Sequence, residues 1–334
     1  MIKQMNENKE YGGYFSLDFK YLGGDQNELF SGINENDKLR LNAARYAIVY
    51  SVVDGGFSKI HIPVYMCESI KDTIQNYNIS YSFYNINNDM EPVLESIGYN
   101  ECILVCNFFG LKDKEFYNSC ISKYKNVIFD NTQCLFVPPI LRDNIYNVYS
   151  PRKFVGVSDG AYLIKQQIKK TELQKSFSSE YAVFLLKAIE EGTNAAYADY
   201  LRSEERISLE GIREMSELTK NILCSFDYEN VAKKRNNNFR VLHKLLESLN
   251  SLHVECAMDS FPMIYPLLVE DNNLRSILVK NKVYIPQWWK WVLDTQEANA
   301  FERKLSKFLL PIPIDHRYST KDMEFIAEII LGRE

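Results

Sequence analysis

The sequence predicts an α/β fold built on a mostly parallel sheet, followed by a smaller α+β domain. Two observations carry this prediction. Short apolar runs rich in β-branched residues alternate with helix-like segments through the first half of the chain, as in a strand–helix–strand architecture. Residues 102–106, Cys-Ile-Leu-Val-Cys, are apolar without interruption, as expected of a strand buried on both faces of a parallel sheet.

The apolar periodicity places the individual elements. In the first half we predict strands at 59–63, 79–84, 102–108, 127–130, 145–149 and 161–164, with helices at 43–53, 68–77 and 114–124. The pattern from 171 to about 249 is helical, and it is followed by predicted strands at 253–258 and 263–269 and predicted helices at 273–280 and 320–331. We therefore predict a large domain over residues 1–225, with an N-terminal arm, and a small α+β domain over residues 226–334.

Composition restricts the class of protein. An apolar fraction of 46% and a charged fraction of 25% are those of an ordinary globular protein. A net charge of −5 gives no electrostatic reason to expect nucleic acid or an anionic membrane as partner. The seven cysteines include no Cys-x-x-Cys pair, which favours reduced thiols in a cytoplasmic protein, and the four histidines have no metal-ligand spacing. No signal peptide or membrane span is indicated.

The first candidate functional residue is Asp130, which ends the predicted strand 127–130. Open α/β sheets bind their ligands at the carboxyl ends of their strands. A carboxylate at such a position either caps the following turn or pairs with a protonated ring nitrogen of a ligand.

The second candidate is Lys153, which lies in the loop after the predicted strand 145–149. A lysine that attacks a carbonyl must be neutral, and partial burial or a cationic neighbour favours the neutral amine. Apolar Phe154 and Val155 and the neighbouring Arg152 fit this requirement. An ordinary solvated loop lysine is the alternative interpretation.

The third candidate is the start of the predicted helix 43–53. The small residues Ala43 and Ala44, followed by Arg45, leave room for a phosphate to approach free backbone N–H groups. A well-packed alanine-rich helix would have the same pattern.

The order of these three features resembles that of fold-type-I enzymes that use pyridoxal 5′-phosphate (PLP), and in particular the sugar aminotransferases of the DegT/StrS type. Residues 43–45 correspond to the family's Ser-Gly-Thr-like phosphate turn, and residues 129–133 to its Glu-Asp-Ala-Ala-Gln-like element. Ser150 and Lys153 correspond to the serine and lysine of its Schiff-base loop, and residues 159–161 to its acidic-Gly-Gly turn. The chain departs from the family in its shorter Ser-to-Lys spacing. It also has Ala44 in place of a glycine and Arg45 in place of a small hydroxyl residue.

The resemblance implies a cofactor and a set of roles. PLP would form a Schiff base with Lys153, which would also act as general base and acid. Asp130 would keep the ring nitrogen protonated, and Gln133 would bond the ring hydroxyl or the phosphate region. The phosphate would lie against Ala44, Arg45 and Ser150. Tyr65 is the nearest candidate for an aromatic residue that stacks on the cofactor ring.

The family's activity is implied in the same way. It is the transfer of an amino group from an amino acid such as glutamate to a keto sugar, which would be nucleotide-linked. The resemblance also implies a homodimer, and the aromatic segment 284–291 either belongs to a core or an interface or lines a sugar site. Two alternatives stay open: a PLP enzyme of another reaction class, such as a lyase or racemase, and a non-catalytic binding or regulatory paralogue. Lys153 argues against the paralogue and against the family's dehydratase branch, in which the lysine is replaced.

Overall fold

The computed structural model describes residues 9–17, 28–255 and 261–332. Its strands, in chain order, are β1 (Tyr11–Gly12), β2 (Lys38–Leu41), β3 (Lys59–Pro63), β4 (Tyr81–Ile86), β5 (Pro92–Val93), β6 (Glu101–Cys106), β7 (Val127–Asp130), β8 (Ile145–Tyr149), β9 (Ala161–Ile164), β10 (Ile264–Leu268), β11 (Val283–Tyr284) and β12 (Leu309–Pro313). Its helices are α1 (Ala44–Gly55), α2 (Glu68–Asn76), α3 (Lys114–Lys123), α4 (Val183–Glu190), α5 (Tyr197–Glu210), α6 (Glu217–Leu223), α7 (Tyr228–Leu246), α8 (Leu274–Lys280), α9 (Ala300–Phe308) and α10 (Thr320–Ile330).

An eight-stranded sheet in the order β2-β9-β8-β7-β6-β3-β4-β5 forms the centre of the structure. Strand β9 is antiparallel to both of its neighbours, and the edge strand β5 is antiparallel to β4. The other strands run in one direction, so the prediction of a mostly parallel sheet is confirmed. Their carboxyl ends therefore share one edge of the sheet, which is where such sheets bind ligands.

Both faces of the sheet are covered by apolar side chains. Cys102 and Leu104 of β6 belong to a core that includes much of α1. Ile103 and Val105 of the same strand face the opposite core, which extends into the C-terminal part of the chain. Alternate residues of β6 are thus buried on opposite sides, which explains its uninterrupted apolar sequence.

Strand β6 ends at Cys106, two residues earlier than the predicted strand 102–108. Phe109 and Gly110 both adopt positive φ values, of 62° and 79°, and turn the chain out of the sheet. A Cβ atom on Gly110 would lie only 2.5 Å from the backbone oxygen of Gln133. Glycine is therefore required at this turn for its conformation and for its size.

Strand β2 was not predicted, because its sequence Lys-Leu-Arg-Leu lacks an apolar run. Lys38 is nevertheless buried, and its amine lies 3.6 Å from Glu28 and 3.1 Å from Glu35. These ion pairs let a lysine occupy a position that the sheet buries. Strand β12 and helix α9 were also not predicted.

The C-terminal part combines α7 and α10 with the antiparallel pair β10–β12. The N-terminal segment joins it, since β1 pairs in parallel with β11 and the amide of Gly12 donates a 2.7 Å hydrogen bond to the Tyr318 hydroxyl. In the predicted strand 253–258, residues 253–255 have no regular structure and residues 256–258 lie outside the described residues. The division at residues 225 and 226 stays a prediction.

Within the described ranges, no helix combines the length and the apolar character needed to cross a membrane. The cysteines of these ranges are all free thiols.

Candidate functional site

The sequence-predicted site residues meet at the carboxyl edge of the sheet. Asp130 ends β7 and lies in register between Cys106 of β6 and Val148 of β8. The loop that carries Lys153 leaves the end of β8 beside it. The amide of Gly160, at the far end of this loop, donates a 2.7 Å hydrogen bond to the carbonyl of Asn42, just before α1. The carboxylate, the lysine and the helix start, which are distant in sequence, are therefore neighbours at one edge.

Lys153 is the last residue of a short 3₁₀ turn, and its side chain is exposed. Its amine donates a 2.9 Å hydrogen bond to the Thr132 hydroxyl. The amide of Thr132 in turn donates to Oδ1 of Asp130 at 3.0 Å. Thr132 thus links the amine of the loop to the carboxylate at the strand end.

The Asp130 carboxylate is 6% exposed. Its Oδ2 atom lies 3.7 Å from the Sγ atom of Cys106, whose thiol can donate only a weak hydrogen bond. Burial, together with the negative charge of Asp130, raises the pKa of Cys106 well above its ordinary value. Cys106 therefore stays protonated, and the Asp130 carboxylate is held in place by the Thr132 amide and the Cys106 thiol.

Gln133 and Ser150 lie close in sequence to Asp130 and Lys153 and hold the backbone at this edge of the sheet. The side-chain oxygen of Gln133 accepts a 2.9 Å hydrogen bond from the amide of Phe109, so it holds the turn that ends β6. Ser150 is buried, and its carbonyl accepts from the amide of Lys153 at 3.3 Å.

Tyr65 is fully buried, and its hydroxyl has no hydrogen-bond partner among the described residues. Its ring lies 4.4 Å from the Trp289 ring in an edge-to-face arrangement and 5.7 Å from that of Phe108. Trp288 stacks on Phe109 with the ring centres 5.9 Å apart. Trp288 and Trp289 of the predicted aromatic segment thus pack against the turn at the end of β6. A role for Tyr65 in stacking on a cofactor ring stays a prediction.

The start of α1 has the features of an anion site. Ala43 makes no side-chain capping bond, Ala44 is the first helical residue, and the first turn contains no acidic side chain. The exposed amides of a helix start attract anions. Arg45 follows directly, and Arg152 reaches the same place from the lysine loop.

Both arginines bind one carboxylate, that of Glu204 in α5. Arg152 donates from Nη2 to Oε1 of Glu204, and Nη2 of Arg45 lies 3.4 Å from Oε2. Burial raises the pKa of Glu204, but the charges of Arg152, Arg45 and Lys153 lower it by more, so the net shift is downward. Glu204 is therefore an anion between two guanidinium groups, close to Lys153.

Sequence reasoning missed three residues of this arrangement: Thr132, Cys106 and Glu204. Thr132 lies inside the segment 129–133 that resembles the family, but a threonine at this position does not by itself predict a hydrogen bond to Lys153. Cys106 belongs to the apolar run 102–106, which predicts a buried core residue. Glu204 belongs to a helix more than 50 residues beyond the lysine, and no sequence signal connects the two.

The residues present fit PLP on structural grounds. The Lys153 side chain is exposed, not partly buried as expected from the sequence, so a ligand can reach its amine for Schiff-base formation while Arg152 is its cationic neighbour. The buried carboxylate of Asp130 suits a pyridine nitrogen. The uncapped start of α1, with Arg45 and Arg152, suits a phosphate.

Comparison with known proteins supports the fold. The sequence matches no protein-family model and no curated protein. The structure is similar to a putative sugar aminotransferase from Streptococcus pneumoniae, with a TM-score of 0.61 at 12% identity, covering 96% of this chain and 92% of that one. It is also similar to Helicobacter pylori PseC, an aminotransferase of pseudoaminic acid biosynthesis, with a TM-score of 0.58 at 12% identity, covering 97% and 99% of the two chains.

A third similar structure is the E. coli GDP-4-keto-6-deoxy-D-mannose-3-dehydratase, solved with bound hydrated PLP. Its TM-score is 0.58 at 11% identity, and the match covers 88% of this chain and 87% of that one. At such identities the likeness shows the fold. The chain therefore has the fold-type-I architecture of PLP-dependent transferases, as the sequence predicted.

Proposed function

We propose that this protein is a PLP-dependent aminotransferase of the DegT/StrS type that acts on a nucleotide-linked keto sugar with an amino acid as donor. The observation that carries the proposal is the hydrogen-bonded chain from Lys153 through Thr132 to Asp130 at the carboxyl edge of the sheet. The similar solved structures named as sugar aminotransferases support it.

The cofactor would be held by residues from three elements. Asp130 would bind the pyridine nitrogen, and its burial strengthens a charge-assisted hydrogen bond to that nitrogen. Ala44 and Arg45 at the start of α1, with Ser150 at the end of β8, would bind the phosphate. Gln133 would act by holding the Phe109 turn beside the cofactor, and Tyr65 would lie next to the cofactor ring.

When bound, PLP would supply an electron sink for a substrate carbon that has lost a proton. Lys153 would hold and move that proton at Nζ, which is the role of a general base and acid. Thr132 would position the amine from 2.9 Å away. Asp130 would keep a proton on the nitrogen placed against it, because a buried carboxylate strongly favours a cationic partner.

The substrate class rests on the names of the similar structures. One acts in pseudoaminic acid biosynthesis, and another is a dehydratase of a GDP-linked keto sugar. The retained Lys153 favours amino transfer over the dehydratase reaction, because the resemblance implies that the dehydratases lack this lysine. The free thiols of the described cysteines agree with the cytoplasmic location that we propose.

The reaction class is tested by a half-reaction. Glutamate added to the PLP-loaded protein should convert the cofactor's visible absorption to that of the amine form, with 2-oxoglutarate released in equal amount. A lyase or racemase would use the same lysine without this conversion. If no candidate amino acid gives the conversion, while any of them is racemised or decarboxylated, the aminotransferase proposal is wrong.

We further propose a homodimer. Helix α4 is apolar on two sides: Phe184 and Leu185 are buried, whereas Val183, Leu186 and Ile189 form an exposed stripe. Exposed apolar patches of this kind mark interaction surfaces. A second copy of the chain would cover the stripe.

The stripe predicts the effect of charge at its centre. The double substitution Leu186→Lys and Ile189→Lys should turn a dimer into a monomer in sedimentation at micromolar concentration, because it would bury two unpaired charges. Val93→Lys is the control, since Val93 and Ile189 are both 57% exposed and Val93 lies on the edge strand β5. A PLP-loaded wild-type protein that sediments as a monomer would contradict the proposal.

A further inference from the structure

Glu204 makes contacts that the proposed reaction does not use. Its carboxylate lies between Arg45, the second residue of α1, and Arg152, the residue before Lys153. The side chains of Arg45, Arg152 and Glu204 are 14%, 15% and 29% exposed, so all three charges are partly shielded from water. Ion pairs so placed are strongly coupled, and removing one partner leaves the other charges uncompensated.

The position of this cluster is what a phosphate would need. The α1 start is uncapped and has no acidic residue in its first turn, and Glu204 pairs with Arg45 of that turn. Arg45 and Arg152 both direct donors to that same anion.

Glu204 leaves one donor of this cluster unused. It accepts from Nη2 of Arg152, whereas Nε of Arg152 is buried without a hydrogen-bond partner in the described part of the chain. Nε and Nη2 lie on the same edge of the guanidinium group, the edge that binds an oxyanion through two parallel hydrogen bonds. A phosphate has three free oxygens and two negative charges, and it can use the donor that Glu204 leaves unpaired.

We infer that Glu204 is an internal competitor for the phosphate subsite: its carboxylate and the phosphate of the cofactor bind Arg45 and Arg152 in mutual exclusion, so that the phosphate displaces Glu204. The inference rests on the proposed function only in assigning this phosphate to PLP. Glu204 keeps the two arginines paired in the absence of ligand, at the cost of weakening phosphate binding.

Displacement of Glu204 would also affect its helix. Tyr200, one turn earlier in α5, stacks on Tyr14 of the N-terminal segment with ring centres 4.6 Å apart and planes 4° from parallel. Beyond residue 204, the Tyr46 hydroxyl bonds the carbonyls of Ile207 and Ser208. Loss of the arginine contacts should therefore loosen helix α5 locally, around residue 204.

The test is a comparison of dissociation constants by calorimetry for Glu204→Gln and for Glu205→Gln. Glu205 is exposed on the same helix, so its substitution changes the net charge equally without touching the arginines. Glu204→Gln should tighten binding of PLP and of inorganic phosphate about tenfold, as for the loss of one competing charge-assisted contact. Binding of pyridoxal, which lacks the phosphate, should stay within about twofold, and Glu205→Gln should leave all three ligands unchanged.

Unchanged or weaker PLP and phosphate binding in Glu204→Gln would overturn the inference, because Glu204 would then be a structural anchor or a supporting residue. If that variant fails to fold, the displacement of Glu204 can be tested by hydrogen exchange of the wild-type protein. Phosphate or PLP should accelerate amide exchange in α5, and an unaltered exchange rate would count against displacement.

The outcomes also separate this inference from the proposed function. If Glu204→Gln binds phosphate more tightly but PLP does not label Lys153, the inference about Glu204 stands and the proposed aminotransferase function is wrong. If PLP labels Lys153 but Glu204→Gln leaves the phosphate affinity unchanged, the inference about Glu204 is wrong and the proposed function stands.

Discussion

Replacement of Lys153 by alanine is expected to abolish amino transfer, with a loss of about 10³-fold or more in turnover. The side chain is exposed, and its one described hydrogen bond is to Thr132, so the fold should survive the change. Borohydride reduction of the PLP-loaded wild-type protein, followed by peptide mapping, should place the pyridoxyl group on Lys153.

Lys175→Ala is the matched control, because that lysine is also exposed and its described ion pair, with Glu217, lies at the surface. It should keep its turnover and its labelling at Lys153. Added methylamine should restore part of the activity of Lys153→Ala, since a free amine can take over the proton transfer. A label on another lysine, or normal turnover in Lys153→Ala, would reject the assignment.

Replacement of Asp130 by asparagine is expected to lower turnover about 100-fold or more, because a neutral amide cannot hold the ring nitrogen protonated. Asparagine has nearly the same shape, and its side-chain oxygen can still accept from the amide of Thr132. The fold should therefore persist, and the thermal unfolding temperature should change little.

The loss in Asp130→Asn should appear in kcat more than in KM, since the carboxylate acts on the reacting system rather than on substrate binding. Asp143→Asn, at an exposed site, is the control for the charge change. Near-normal kcat in Asp130→Asn with PLP bound would contradict the proposed role of the carboxylate.

Much of the large sheet followed from the sequence. Strands β3, β7, β8 and β9 begin and end where the apolar runs predicted, because each run is short and buried and ends at a proline, a polar residue or a glycine. Apolar periodicity failed to predict a strand where ion pairs, not apolar side chains, stabilise its burial. Strand β2 carries Lys38, whose burial depends on Glu28 and Glu35, and periodicity does not detect ion pairs.

The sequence by itself determined which functional groups reach the carboxyl edge. Strands that follow one another in the chain are usually neighbours in the sheet, so Asp130 at the end of one strand and Lys153 after the next were predictable as a pair. The pairing of β7 with β8 fulfils this expectation.

Only the tertiary structure decided how those groups are surrounded. Thr132 bridges the pair with its hydroxyl and its backbone amide, and Cys106 reaches Asp130 from a neighbouring strand. Glu204 approaches Arg45 and Arg152 because α5 packs over the start of α1. The apolar period of a helix shows which of its faces is buried but not which element it meets. Contacts between distant helices and loops therefore depend on packing of the whole chain, and no local pattern encodes them.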